Sequence, residues 1–355
     1  MSRRGKAKPA ADASAKDAPA PRKRLNIALQ GGGAHGAYAW GVIDRLLEED
    51  IEITGLCGTS AGAMNATVTA YGLAKGGRQG ARDALANFWK KISDASRMGP
   101  LQPSPFDRML GTGNLDFSPG WMFFDALSRI ASPYQLNPAN FNPLRDVLLD
   151  CVDFDLLHRE TAVKLFICAS NVMTGRHRVF RETEVSVDAV LASACLPFMF
   201  QAVQVDGEHY WDGGYMGNPP LYPLFYHTDT PDVLIVQINP INIRELPTTA
   251  QAILDRINTL SFNSSLMREM RAINFVTKLI DRGIDDGGRL KRVNIHTIDA
   301  EDHLGKLSIS SKLNADWAFL SDLRAVGREK ASEFIRDHYD KIGVCSSTDI
   351  ETKFL

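Results

Sequence analysis

Apolar positions along the chain switch between short continuous runs and helical spacing. "LNIALQ" (Leu25–Gln30) is an apolar run that ends in glycines. "AHGAYAWGVIDRLLEED" then places Ala37, Trp40, Val42, Ile43, Leu46 and Leu47 at helical spacing. "IEITGLC" and "AGAMNATVTAYGLA" repeat the pair. Strand, tight turn, helix, twice over, predicts parallel strands joined by crossover helices, an α/β fold. Further strands are predicted at "VKLFICAS" (Val163–Ser170), "HRVFRE", "QAVQV", "DVLIVQINP" (Asp232–Pro240) and "RVNIHTI" (Arg292–Ile298). A Pro- and aromatic-rich stretch, about 93–142, breaks this rhythm and reads as an inserted cap. There Trp121, Met122, Phe123 and Phe124 follow Pro119-Gly120, a cluster that suits either lipid contact or core filling. Residues 250–283 predict one long helix with Ile253, Ile257, Leu260, Met267, Met270, Ile273 and Val276 on or near one face. Residues 315–339 predict another amphipathic helix, making 250–355 a mostly helical C-terminal part.

Composition narrows this picture only slightly. At 355 residues, 44% hydrophobic and 23% charged, usage is that of a globular chain, and a net charge of −2 gives no field that would favour nucleic acid. Residues 1–24 are Ala, Pro, Lys and Arg with almost nothing to bury, and read as a disordered tail. They lack the apolar core of a signal peptide. Their eight basic against two acidic residues suit an anionic membrane surface, although a solvated tail is the plainer reading. No apolar stretch approaches the roughly 20 residues that span a bilayer. Cys57, Cys151, Cys168, Cys195 and Cys345 are an odd set without CxxC spacing. Buried reduced thiols in a cytoplasmic protein are expected, with neither a disulfide framework nor a metal. After residue 25 a single domain is expected.

Two glycine clusters carry the candidate chemistry. Gly31, Gly33 and Gly36 match G-x-G-x-x-G after a strand, and Glu52 follows at about the spacing of a dinucleotide fingerprint. Glu52, however, opens the second strand, whereas a ribose-binding acid belongs at its end. The end is taken by Gly58-Thr59-Ser60-Ala61-Gly62, a G-x-S-x-G between strand and helix. That is the pattern of a nucleophile elbow, where small flanking residues let a sharp turn lift a serine over a helix N-terminus. The glycine run Gly31, Gly32, Gly33 suits an oxyanion loop, because backbone donors must come close with no side chain in the way. Ser60 then needs a base. The downstream histidines lie in unsuitable settings. Asp212, in "YWDGGYMGNPP", follows a strand-like stretch and precedes Gly213 and Gly214; a plain Asp-Gly turn is the competing reading.

GGGAHG, GTSAG and DGG in this order resemble the patatin-like phospholipase family of serine acyl hydrolases, over roughly Leu25 to Pro223. "LASACLPFMF" (Leu191–Phe200) resembles the family's Ala-Ser-x-x-x-Pro segment, which lies near its active site. The resemblance implies a three-layer α/β/α sandwich with a mostly parallel sheet, and no metal or cofactor. It implies a Ser–Asp dyad with Ser60 as nucleophile and Asp212 as general base. It implies Gly31, Gly32 and Gly33 as the oxyanion loop, with Gly36, Gly58, Gly62, Gly213 and Gly214 supporting the motifs. The family usually carries Arg or Lys at the position of His35, so a group titrating near neutrality stands where a fixed cation is usual.

The function expected is hydrolysis of carboxylic esters of phospholipids or acylglycerols through an acyl-enzyme. The partners expected are a lipid or ester substrate and a peripheral contact with the inner membrane surface. An esterase for short soluble esters or a storage polyester stands as the alternative. A non-catalytic lipid- or nucleotide-binding protein stands as the alternative of another class.

Overall fold

Eight strands form one sheet in the computed structural model, which describes residues 22–355 except 244 and 285. The strands are β1 (Lys23–Leu29), β2 (Ile51–Gly58), β3 (Lys164–Asn171), β4 (His177–Arg181), β5 (Val203–Val205), β6 (Glu208–Asp212), β7 (Asp232–Val236) and β8 (Asn294–Ile298). Their spatial order is β5-β6-β3-β2-β1-β7-β8, with β4 also paired to β3. From β3 through β2, β1 and β7 to β8 every pairing is parallel; β4, β5 and β6 join antiparallel. The predicted strands are thus found, and β6 adds the antiparallel strand that delivers Asp212.

The helices that follow are α1 (Gly36–Leu46), α2 (Ala61–Ser96), α3 (Pro105–Leu110), α4 (Pro119–Ser128), α5 (Pro133–Leu136), α6 (Pro143–Cys151) and α7 (Phe154–Glu160). Beyond β4 come α8 (Val187–Ser193), α9 (Tyr222–His227), α10 (Ala250–Asp281), α11 (Glu301–Leu304), α12 (Trp317–His338) and α13 (Ile350–Phe354).

Side-chain alternation along the strands sorts these helices into two layers. Ile27, Leu29, Leu56, Leu165, Ile167, Leu234 and Val236 pack into one core with residues of α1, α2 and α12. Ala28, Cys57, Phe166, Val233 and Ile235 face the other way, into a second core with Leu224 of α9, Leu266 and Met270 of α10 and Phe354 of α13. A sheet apolar on both faces needs a helical layer on each, which is the physical basis of the three-layer sandwich.

Three expectations shift. Arg22 pairs with Asp50 at 2.6 Å and Lys23 opens β1, so residues 22–24, expected in the tail, belong to the fold; residues 1–21 of the expected tail lie outside the described residues. The second helix runs on to Ser96, across a kink at Gly76 and Gly77, and so absorbs the first residues assigned to the cap. In α10 the predicted apolar face is buried only in the second half. Of that face Met270 and Ile273 are buried and Met267 and Val276 half-buried, whereas Ile253, Ile257 and Leu260 are exposed; Phe262 and Leu266 are buried beside it. The first half runs past the strand ends, where Arg256 reaches the Ile241 carbonyl at 3.0 Å rather than the sheet.

Candidate active site

Register brings three loops to one edge of the sheet. Leu29, the last residue of β1, pairs with Gly58, and Gly58 pairs with Ile167 of β3. Asp212, the last residue of β6, pairs with Ala169, two residues further along β3. Ser60, two residues beyond Gly58, therefore stands at the level of Asp212, with the glycine turn after β1 on its other side.

The serine turn is as tight as its sequence requires. Ser60 has φ 58° and ψ −125°, a left-handed φ that costs a non-glycine residue strain. The turn is held by Thr59 N–H on the Leu29 carbonyl and by Gly62 N–H on the Thr59 carbonyl at 2.8 Å. A Cβ at Gly58 would lie 2.3 Å from the Gly62 carbonyl oxygen, and one at Gly62 would lie 2.2 Å from the Leu29 oxygen. Neither can carry a side chain. The Ser60 N–H donates to the buried Ser193 hydroxyl at 2.9 Å, which gives the "LASACLP" segment a definite task. Thr59 donates its hydroxyl to the Gly217 carbonyl at 2.7 Å, tying the elbow to the segment after Asp212.

Asp212 is fully buried. Oδ1 accepts the Gly214 N–H at 2.8 Å, while Oδ2 has no hydrogen-bond partner. Burial pushes its carboxyl up to about 6, against the pull of the Gly214 N–H, the Ser60 hydroxyl and the Lys312 ammonium. Glycine is required on the far side: a Cβ at Gly213 would sit 2.1 Å from the Cys168 carbonyl, and one at Gly214 would sit 2.3 Å from the Phe262 ring. The Asp-Gly hairpin reading does not hold, because the β5–β6 hairpin turns at Asp206-Gly207 instead.

The glycine turn divides its backbone donors. The Gly31 N–H donates to Asn218 Oδ1 at 2.7 Å. Among the described residues the N–H groups of Gly32, Gly33 and Ala61 make no hydrogen bond. A Cβ at Gly31 would lie 2.7 Å from Ser60 Cβ, so the turn abuts the serine; one at Gly36 would lie 2.7 Å from the Ala61 Cβ. Behind the turn, Asn239 Nδ2 donates to the Gly31 carbonyl at 2.9 Å, and Lys312 Nζ donates to Asn239 Oδ1 at 3.0 Å. His35 is buried with Nε2 2.7 Å from the Ser311 hydroxyl. Burial, then the nearby Lys312 and His303, lower its pKa to about 3. It is a neutral imidazole through the working range, not a group titrating near neutrality.

None of the eight histidines hydrogen-bonds Ser60 or Asp212. One of them does form a chain in the order of a triad. Ser347 Oγ lies 2.9 Å from His296 Nδ1, and His296 Nε2 lies 3.0 Å from Asp232 Oδ1. Asp232 opens β7, at the opposite end of the strands from the serine elbow. Its Oδ1 also accepts the Gly343 N–H at 2.8 Å, and Ser347 N–H donates to the Ile295 carbonyl of β8. The chain is a latch that covers the edge strand with the segment after α12.

The motifs pointed to Ser60, Asp212 and the glycines. Ser193, Asn218, Asn239 and Lys312 were not singled out. Ser193, Asn218 and Asn239 lie in segments already quoted, but no motif marks Asn239 or Lys312: the pairing of β7 with β1 brings Asn239 to the site, and the packing of the Ile309–Leu313 turn on Gly33 brings Lys312.

A cleft of about 700 Å³ lies behind the glycine turn, lined among others by His35, Asn239, Asp255, Arg256 and Lys312. Among the described residues no helix is long and apolar enough to cross a membrane.

Comparison with known proteins agrees with the motif order. The family model described as patatin-like phospholipase matches residues 27–225. No curated protein matches the chain in sequence. Among solved structures, VipD from Legionella pneumophila aligns with 94% of this chain and 73% of its own at 15% identity, with a TM-score of 0.45.

Proposed function

The chain belongs to the patatin-like phospholipase family, and from that premise we propose that it is a serine lipid acyl hydrolase. It cleaves carboxylic esters of phospholipids or acylglycerols through a Ser60–Asp212 dyad. The observation that carries this reading is the Asp212 carboxylate. It has one unpartnered oxygen, sits level with a strained serine, and its pKa of about 6 makes it a usable base at neutral pH.

Asp212 Oδ2 takes the Ser60 proton as Oγ attacks the ester carbonyl. The oxyanion turns toward the glycine loop. Gly31 spends its N–H on Asn218, so the donors left for the oxyanion are those of Gly32, Gly33 and Ala61. The ester C–O bond breaks, and the proton on Asp212 passes to the departing alcohol. Water then enters, gives its proton to Asp212 and attacks the acyl-enzyme. The fatty acid leaves as Ser60 regains the proton.

Lipid rather than soluble ester is favoured by the cap. It leaves Phe106, Met109, Met122, Phe123, Ile130 and Phe141 exposed, apolar surface that suits contact with an aggregated substrate. The test is turnover of Ser60→Ala and Asp212→Asn on phospholipid vesicles and on short p-nitrophenyl esters. Both variants should fold and should lose on the order of 10⁴-fold or more on every substrate. A wild type active on short esters alone would move the reading to a soluble-ester esterase. Folded Ser60→Ala with near-normal turnover would remove the dyad.

A further inference from the structure

Lys312 lies in the short 3-10 turn Ile309–Leu313, far from every motif. That turn is pressed against the glycine loop: a Cβ at Gly33 would lie 2.3 Å from the Lys312 carbonyl oxygen. The ammonium donates to Asn239 Oδ1 at 3.0 Å and stands 5.8 Å from the centre of the Phe262 ring. Among the described residues no carboxylate lies within ion-pairing distance of it. A half-buried cation without a contact ion pair is costly to keep, so its placement calls for a reason.

We infer that Lys312 is a positioning residue for the dyad, fixing the glycine loop through Asn239. The inference rests on the dyad reading above. An ammonium can only donate, so it selects which end of the Asn239 carboxamide faces it. With Oδ1 turned to Lys312, Nδ2 is left to donate to the Gly31 carbonyl at 2.9 Å and to Gln30 Oε1 at 3.3 Å. Gln30 Oε1 in turn accepts the N–H groups of Ile238 and Asn239, both at 2.9 Å. The peptide after Gly31 is planar and trans, so pinning its carbonyl turns the Gly32 N–H the opposite way. That N–H is one of the three uncommitted donors beside Ser60. Removing the cation frees the carboxamide to rotate and the loop to relax.

The electrostatic part has the same source. The charged and titratable groups facing this site are Asp212 at the end of β6 with Cys168, Cys195 and Tyr215 beside it, Asp255 and Arg256 on α10, His35 in the glycine turn, and Glu301, Asp302 and His303 on α11. His35 is neutral, and among the cations around the cleft it is Lys312 that acts on Asp212. Burial lowers the Lys312 pKa to about 8, with Asp255 and Asp212 pulling it back up. The charge is thus present at neutral pH and fades above about 8.

The experiment is kcat/KM against pH on a soluble p-nitrophenyl ester for wild type, Lys312→Met, Lys312→Arg and Asn239→Leu. In wild type, activity should rise through about pH 6 as Asp212 ionises and decline above about pH 8 as Lys312 loses its proton. In Lys312→Met the acid limb should move up by about half a unit or more, because a lost cation disfavours the carboxylate. The alkaline decline should vanish, and kcat should fall on the order of ten-fold with KM little changed. Lys312→Arg should restore the acid limb. Asn239→Leu should lower kcat while leaving the acid limb nearer that of wild type. An acid limb and kcat unchanged in Lys312→Met would overturn the inference, as would a limb displaced in Lys312→Arg as far as in Lys312→Met. If Lys312→Met does not fold, Lys312→Arg and Asn239→Leu decide alone: a misplaced limb in the first or unaltered kcat in the second overturns it. Failure of the dyad reading shows differently, as wild-type turnover that survives in Ser60→Ala.

Discussion

Asp212, the base of the proposed dyad, carries a cost in stability. A buried carboxyl at about 6 binds a proton more tightly in the folded chain than in the unfolded one, where the usual value is about 3.9. Its contribution is most favourable below about pH 4 and is lost as pH rises to about 6, by up to about 3 kcal/mol. An asparagine in its place carries no such charge and keeps the acceptor for the Gly214 N–H. Asp212→Asn should therefore be inactive yet more stable than wild type at pH 8, with the difference closing near about pH 4.5. Thermal melts at the two pH values check this, and equal melting at pH 8 would show that the carboxylate is better solvated than its burial implies. That Ser60, Asp212 and the glycine turn meet at one edge of the sheet follows from motifs that each obey a local rule of chemistry or sterics. His35 was misjudged for want of its environment: its type announces a titrating group, while its burial makes it a neutral one. Lys312 was invisible, since a lysine in "SISSKLN" has no local feature that sets it apart.

Secondary structure elements were legible wherever apolar period and turn chemistry agreed. The cap shows in the sequence only as a break in the alternation, because its apolar residues lack a clean period, yet its helices announce themselves differently. Ser104-Pro105, Ser118-Pro119, Ser132-Pro133 and Asn142-Pro143 each place an N-cap residue before a proline at the first helical position. These pairs mark the starts of α3, α4, α5 and α6. The aromatic cluster, open between core and lipid in the sequence, divides within α4. Trp121 and Phe124 are half-buried, with ring centres 6.1 Å apart, whereas Met122 and Phe123 are 60% and 69% exposed. The proposed contact with lipid therefore falls to Met122 and Phe123. Met122→Ser with Phe123→Ser should depress hydrolysis of phospholipid vesicles about ten-fold while leaving a soluble short-chain ester nearly untouched. Equal loss on both substrates would assign the pair to packing.

For the whole molecule, the parallel α/β order could be read from the alternation of elements, but the spatial order of strands could not. That β7 pairs with β1, and so carries Asn239 to the back of the glycine turn, is a long-range fact with no local trace. The same holds for Asp44 of α1, whose carboxylate is gripped by Arg82 of α2 and by Arg324 and Arg328 of α12. Burial alone would raise its pKa, but these guanidinium hydrogen bonds outweigh burial and hold it below the usual carboxylate range. Such ties make one helical layer of three distant segments, of which α1 follows the glycine turn and α2 the serine elbow. The account as a whole stands on a nucleophilic serine, and covalent labelling tests that most directly. The folded protein is treated with a fluorophosphonate probe at pH 8, digested, and the modified peptide identified by mass spectrometry. One adduct on Ser60 is expected, abolished in Ser60→Ala and strongly slowed in Asp212→Asn. Absence of labelling at Ser60 in folded protein that hydrolyses esters, or an adduct on another serine such as Ser347, would contradict it.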